Sequence, residues 1–70
     1  MRYVKYNHIV TDKESQESYT YEELSSAVGH IEDMIGPIPA TLGSLQKALI
    51  FSGKVEPCEG WLIERRVRPS

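Results

Sequence analysis

The chain has 70 residues, 40% of them hydrophobic and 26% charged, with a formal net charge of −2. One domain is expected, and a chain this short buries only about 60% of the surface its unfolded form exposes, which disfavours a deep private catalytic pocket. The lone cysteine, Cys58, leaves no internal disulfide and suits a reducing compartment. No apolar run approaches the roughly 20 residues of a membrane span, and Met1 to His8 lacks the unbroken apolar stretch of a secretory signal, so a cytoplasmic protein without a membrane partner is expected.

Charge is distributed unevenly. Residues 1–36 carry three basic groups against seven acidic ones (Asp12, Glu14, Glu17, Glu22, Glu23, Glu32, Asp33), whereas residues 37–70 carry five basic against three acidic. Such a field can orient a partner without amounting to a basic stripe.

From the N-terminus, Tyr3 to Thr11 is rich in Tyr, Val and Ile and is expected as a first strand. Both alternating registers contain apolar groups, so alternation does not decide which face is buried. Asp12 to Gln16 is a polar connector, and Glu17 to Thr20 returns as a short second strand of a hairpin.

A helix is expected over Tyr21 to Ile35. Thr20 and Glu23 have the spacing of a capping box, and Leu24, Ala27, Val28, Ile31, Met34 and Ile35 fall on one face at helical spacing. Gly29 lies off that stripe and is a candidate break, while Gly36 and Pro37 stop the helix. Pro37 and Pro39 stiffen the connector that follows.

Thr41 is the expected N-cap of a second helix with Leu42, Leu45, Ala48 and Leu49 on its inner face, Ile50 and Phe51 widening the apolar arc, and Gly53 terminating it. Lys54 to Gly60 reads as a turn-rich connection and Trp61 to Val67 as a closing strand, with Trp61 in the core. The expected architecture is α+β: a β-hairpin, two helices in a helix-turn-helix-like arrangement and a C-terminal strand.

A second helix presented on a stiff turn is a common device for reading a DNA groove. Its outward set here is Gly43, Ser44, Gln46 and Lys47, whose amide and ammonium groups suit base edges and phosphates. Arg65, Arg66 and Arg68 form a compact basic group suited to phosphate contacts, and Lys54, just past the second helix, joins these residues as a DNA-contact candidate.

The order of a strand hairpin, a capped helix (Thr20-Tyr21-Glu22-Glu23-Leu24), a second helix ending in Phe51-Ser52-Gly53-Lys54 and a closing Gly60-Trp61-Leu62-Ile63-Glu64-Arg65-Arg66 resembles small bacteriophage helix-turn-helix or winged-helix proteins. That resemblance implies a DNA-binding regulator or accessory factor, with Ser44, Gln46 and Lys47 on the reading helix and Arg65 and Arg66 on the wing strand.

Catalysis is not expected. Cys58 lies between Glu56 and Glu59, surroundings that do not depress a thiol pKa, and His8, His30 and Cys58 lack the local pairing of zinc ligands. The glycines form no phosphate-binding loop, so neither a cofactor nor a metal is expected. The competing reading is a protein-binding module whose acidic first half opposes a basic host protein, or whose Ile50 and Phe51 anchor a partner or a homodimer.

Overall fold

The computed structural model describes residues 5–69, which form β1 (Tyr6–Asp12), β2 (Ser18–Tyr21), α1 (Leu24–Ile35), α2 (Leu42–Ser52), β3 (Lys54–Cys58) and β4 (Trp61–Val67). The strands make one antiparallel sheet in the order β2-β1-β4-β3. The molecule is a small α+β domain in which the two hairpins flank a helical pair in sequence and pair through β1 and β4 in space. Among the described residues, no helix is long and apolar enough to cross a membrane.

Cross-strand register fixes the buried face. His8 sits opposite Arg65, Val10 opposite Ile63 and Asp12 opposite Trp61, so these side chains share one side of the sheet. Val10, Ile63 and Trp61 join Ala27, Val28 and Ile31 of α1 and Leu45 and Leu49 of α2 in a single core. On the other side, none of Asn7, Ile9 and Thr11 or of their partners Arg66, Glu64 and Leu62 is fully buried. Burial of the helix-facing register thereby settles the choice that alternation along β1 leaves open.

The first hairpin turns on Asp12, whose Oδ1 accepts the Glu14 and Ser15 amides at 3.0 and 3.4 Å, while Gln16 takes a left-handed φ of 63°. β1 begins at Tyr6 and ends at Asp12, one residue beyond the expected Thr11; Tyr3 and Val4 of the expected strand lie outside the described residues. Likewise β2 runs Ser18–Tyr21, one residue later than Glu17 to Thr20.

That shift corrects the start of α1. Thr20 pairs with Ile9 in the sheet and is not a helix cap; the N-cap is Glu23, whose side chain makes no capping bond, and the helix begins at Leu24. The long-range ladder outcompetes a local capping box because Thr and Tyr fit a pleated surface. Tyr21 is retained in the strand by a 2.6 Å hydrogen bond between its hydroxyl and Nδ1 of His30, and the His30 ring packs against Tyr19 and Trp61 at 4.4 and 5.9 Å between centroids. These contacts clamp the middle of α1 to β2 and β4.

Gly29 does not interrupt α1, which runs unbroken to Ile35 and ends at Gly36 (φ 91°) with its amide on the Glu32 carbonyl at 2.8 Å. The apolar stripe is buried only in its middle: Met34 and Ile35 are 64% and 53% exposed. Periodicity aligns side chains on one face but does not set how far the opposing surface extends.

α2 has the expected boundaries. Thr41 Oγ1 accepts the Ser44 amide at 3.2 Å, and Gly53 closes the helix in the left-handed region (φ 81°), its amide on the Leu49 carbonyl. Leu42, expected on the inner face, is exposed; Leu45 and Leu49 alone on this helix are fully buried, and Ala48 is half-buried.

Lys54 to Cys58 forms an edge strand where a turn-rich connection was expected. Val55 and Cys58 pair with Ile63 and Trp61, and the irregularity between them accommodates Pro57, which has no amide to give a ladder. Gly60 (φ 89°) then permits the tight turn into β4.

Candidate functional site

The end of the sheet beside α2 brings three of the seven sequence candidates together, Gln46, Arg65 and Arg68. Ser44, Gln46 and Lys47 are all exposed. Gln46 also lines a cleft of about 280 Å³ together with Lys5, Tyr6, His8, Glu22, Leu49, Arg65 and Arg68. Antiparallel pairing of β1 with β4 places His8 directly across from Arg65, and the Arg68 amide bonds the Lys5 carbonyl at 2.8 Å, so residues some sixty positions apart share one wall.

The two arginines of the cleft are held in place. Arg65 lies over the Tyr6 ring, its guanidinium carbon 4.0 Å from the centroid, a cation–π arrangement. Arg68 donates through Nε to Asn7 Oδ1 at 3.0 Å and through Nη2 to the Tyr6 carbonyl at 3.3 Å. Its Nη1 stands 4.0 Å from Glu22, whose side chain is mostly exposed, so that contact is loose. Three cations against one carboxylate leave the cleft positive on a chain whose net charge is negative.

His8 is the sensitive group of the cleft. Its Nδ1 is enclosed and has no hydrogen-bond partner among the described residues. Burial holds the imidazole below its ordinary pKa of 6.5; the positive charges of Arg65 and Arg68 push the same way, and the backbone carbonyls of Glu22 and Tyr21 oppose them.

The other candidates lie elsewhere. The Ser44 hydroxyl donates to the Thr41 carbonyl at 3.1 Å, so that side chain helps hold the helix start. Arg66 points to the opposite side of the sheet, where it pairs with Glu64 at 3.4 Å, and Lys54, opposite Glu64 in register, shares that side. A second cleft, of about 330 Å³, is lined by Lys13, Ser52, Lys54, Val55, Glu56 and Leu62, with Lys13 and Glu56 paired at 3.2 Å.

Lys5, Tyr6, His8 and Glu22 are site residues that sequence reasoning missed. The recoverable signal was parity: Tyr6 and His8 stand at even spacing from Val10, so burying Val10 carries them to the helix side. His30 and Cys58 do not join His8, and among the described residues no group of three His, Cys, Asp or Glu side chains is arranged to hold a metal ion. Burial pushes the Cys58 thiol pKa up, away from the thiolate form that nucleophilic chemistry uses. Comparison with protein-family models, curated proteins and solved structures finds no match to this chain.

Proposed function

We propose that the domain binds double-stranded DNA, laying the outward flank of α2 in the major groove while the adjoining cleft holds the phosphate backbone, in the manner of a regulatory or accessory protein. The observation that carries this reading is the position of Gln46, which is exposed on α2 and shares a cleft with Lys5, Arg65 and Arg68. An amide suited to adenine and cations suited to phosphate thus lie side by side, as groove reading requires.

The dimensions agree. Eleven helical residues give about 16 Å at 1.5 Å per residue, and the major groove, roughly 12 Å wide, admits a helix. Gln46 and Lys47 then face base edges or the groove wall, and the guanidinium of Arg65, held over Tyr6, meets a phosphate. Ser44 secures the first turn through Thr41, while Lys54 and Arg66 face away and take no part in this surface.

Titrating a duplex while following backbone amide signals tests this surface. Perturbations are expected at Gln46, Lys47 and Arg65; a response confined to Ile9, Leu62 and Arg66 on the opposite side of the sheet would overturn the proposal.

A second reading, contact with a basic host protein or a second copy, is favoured by the exposure of Ile50 (59%) and Phe51 (93%) on the same helix and of Glu14, Glu17, Glu22, Glu23, Glu32 and Asp33. Partners retained from a nuclease-treated host lysate support it, with loss in Phe51→Ser assigning the contact to the apolar end of α2; an empty result counts against it.

A further inference from the structure

The cleft beside α2 is built more tightly than general charge attraction to DNA demands. Exposed lysines suffice for non-specific phosphate contacts. Here, instead, one guanidinium is held over an aromatic ring and the other is tied to a side-chain amide oxygen and a backbone carbonyl, so both are restrained before any ligand arrives. Leu49 supplies an apolar wall, and Gln46 adds a neutral hydrogen-bonding group. The volume of about 280 Å³ lies below the roughly 300–1,000 Å³ of sites for drug-sized ligands, and fits a phosphoryl group with part of an attached sugar.

We infer that this cleft binds a single phosphoryl group between the guanidinium groups of Arg65 and Arg68 and the ammonium of Lys5, beside the ring of His8. The inference deepens the DNA reading by naming one phosphate-binding pocket, and the same chemistry would take a free phosphate. Planar guanidinium groups and a phosphoryl oxyanion match in geometry as well as charge.

Occupancy has a reporter inside the site. The groups facing His8 are Lys5 and Tyr6 on its own strand end, Tyr21 and Glu22 at the end of β2, and Arg65 and Arg68 on β4 and beyond; α2 brings only the uncharged Gln46 and Leu49. An anion bound among the cations offsets the two arginines that lower the proton affinity of His8. Binding therefore raises the His8 pKa, and by linkage an anion that does not itself titrate binds more tightly as pH falls through the range in which His8 takes up its proton.

The test titrates the full chain with two probes at constant ionic strength, inorganic phosphate and a thymidine dinucleotide whose one phosphate is a diester, following the ring nitrogens of His8 and the Nε signals of Arg65 and Arg68 by NMR. Saturable shifts at all three residues with an upward move of the His8 pKa are expected, with a loss of affinity of roughly tenfold or more in Arg65→Gln. The exposed Lys5→Gln should weaken binding in the same direction, and Trp61 fluorescence confirms that each variant is folded. A response to the diester assigns the site to nucleic-acid backbone, a response to phosphate alone assigns it to a free anion, and a response to both assigns it to the shared group. Shifts no larger than those caused by chloride, or unchanged in Arg65→Gln and Lys5→Gln, overturn the inference. Silence toward both probes with intact duplex binding would remove this pocket but not the groove reading, and a saturable probe response without duplex binding would remove the groove reading alone.

Discussion

Leu49→Ala tests the way α2 is seated. Leu49 is 1% exposed and is one of two fully buried anchors on that helix, the other being Leu45 at 2%. Removing a buried leucine side chain costs about 2–5 kcal/mol, the upper values arising where a closed cavity persists. Leu49 also borders the cleft, so water can reach the space it vacates and the cost should fall in the lower part of that range, about 2–3 kcal/mol. Ile31, fully enclosed at 0%, should cost more on truncation. For a domain of 60–100 residues each kcal/mol moves Tm by about 4–8 °C, so Leu49→Ala should lower it by roughly 8–24 °C. Trp61, the sole tryptophan and 6% exposed, gives a fluorescence signal for urea or thermal unfolding. Phe51→Ser, two positions further along and 93% exposed, should change stability by less than about 0.5 kcal/mol. Equal costs for Leu49→Ala and Phe51→Ser would mean that α2 is rotated from the described orientation, and the assignment of its outward flank would fail with it.

Other substitutions probe other links. Thr41→Ala removes the acceptor of the Ser44 amide and should cost about 1 kcal/mol in urea unfolding, while Thr20→Ala, outside the helix, should not show a cap's cost in helical content by circular dichroism. The depressed pKa of His8 means that the folded state binds its proton less readily than the unfolded chain does. The His8 contribution to stability is therefore fully present above pH 6.5 and is lost as pH falls from there toward the folded-state value. His8→Gln should flatten that segment of the stability profile; an unchanged profile would refute the assignment.

Much of the fold was legible because it is local. Thr41 and Gly53 bracket α2 through hydrogen bonds made within one turn of themselves, so short sequence signals suffice. Thr20 and Glu23 carried an equally good local signal that failed, because Thr20 sits within reach of β1 and the ladder with Ile9 claimed it. β3 was hidden by Pro57 and by its flanking glutamates, residues that read as a loop yet are tolerated on an edge strand with a register shift. The site was legible only in part. Gln46, Arg65 and Arg68 stood out by chemical type, but their convergence depends on β1 pairing with β4, a contact between the two ends of the chain. Arg66 and Lys54 looked equivalent to Arg65 in sequence; strand parity puts them on the other side of the sheet.

The most direct measurement of the central claim is the salt dependence of duplex binding. Four cations, Lys5, Lys47, Arg65 and Arg68, lie on α2 or in the adjoining cleft. If all four meet phosphates, log K against log salt concentration should have a slope of about −3.6, a loss of roughly 150-fold between 50 and 200 mM. Lys47→Ala and Arg65→Ala should each reduce the steepness by about 1, whereas Lys54→Ala and Arg66→Ala should leave it unchanged. Absence of binding at 50 mM salt, or an equal loss from Arg66→Ala and Arg65→Ala, would contradict the account.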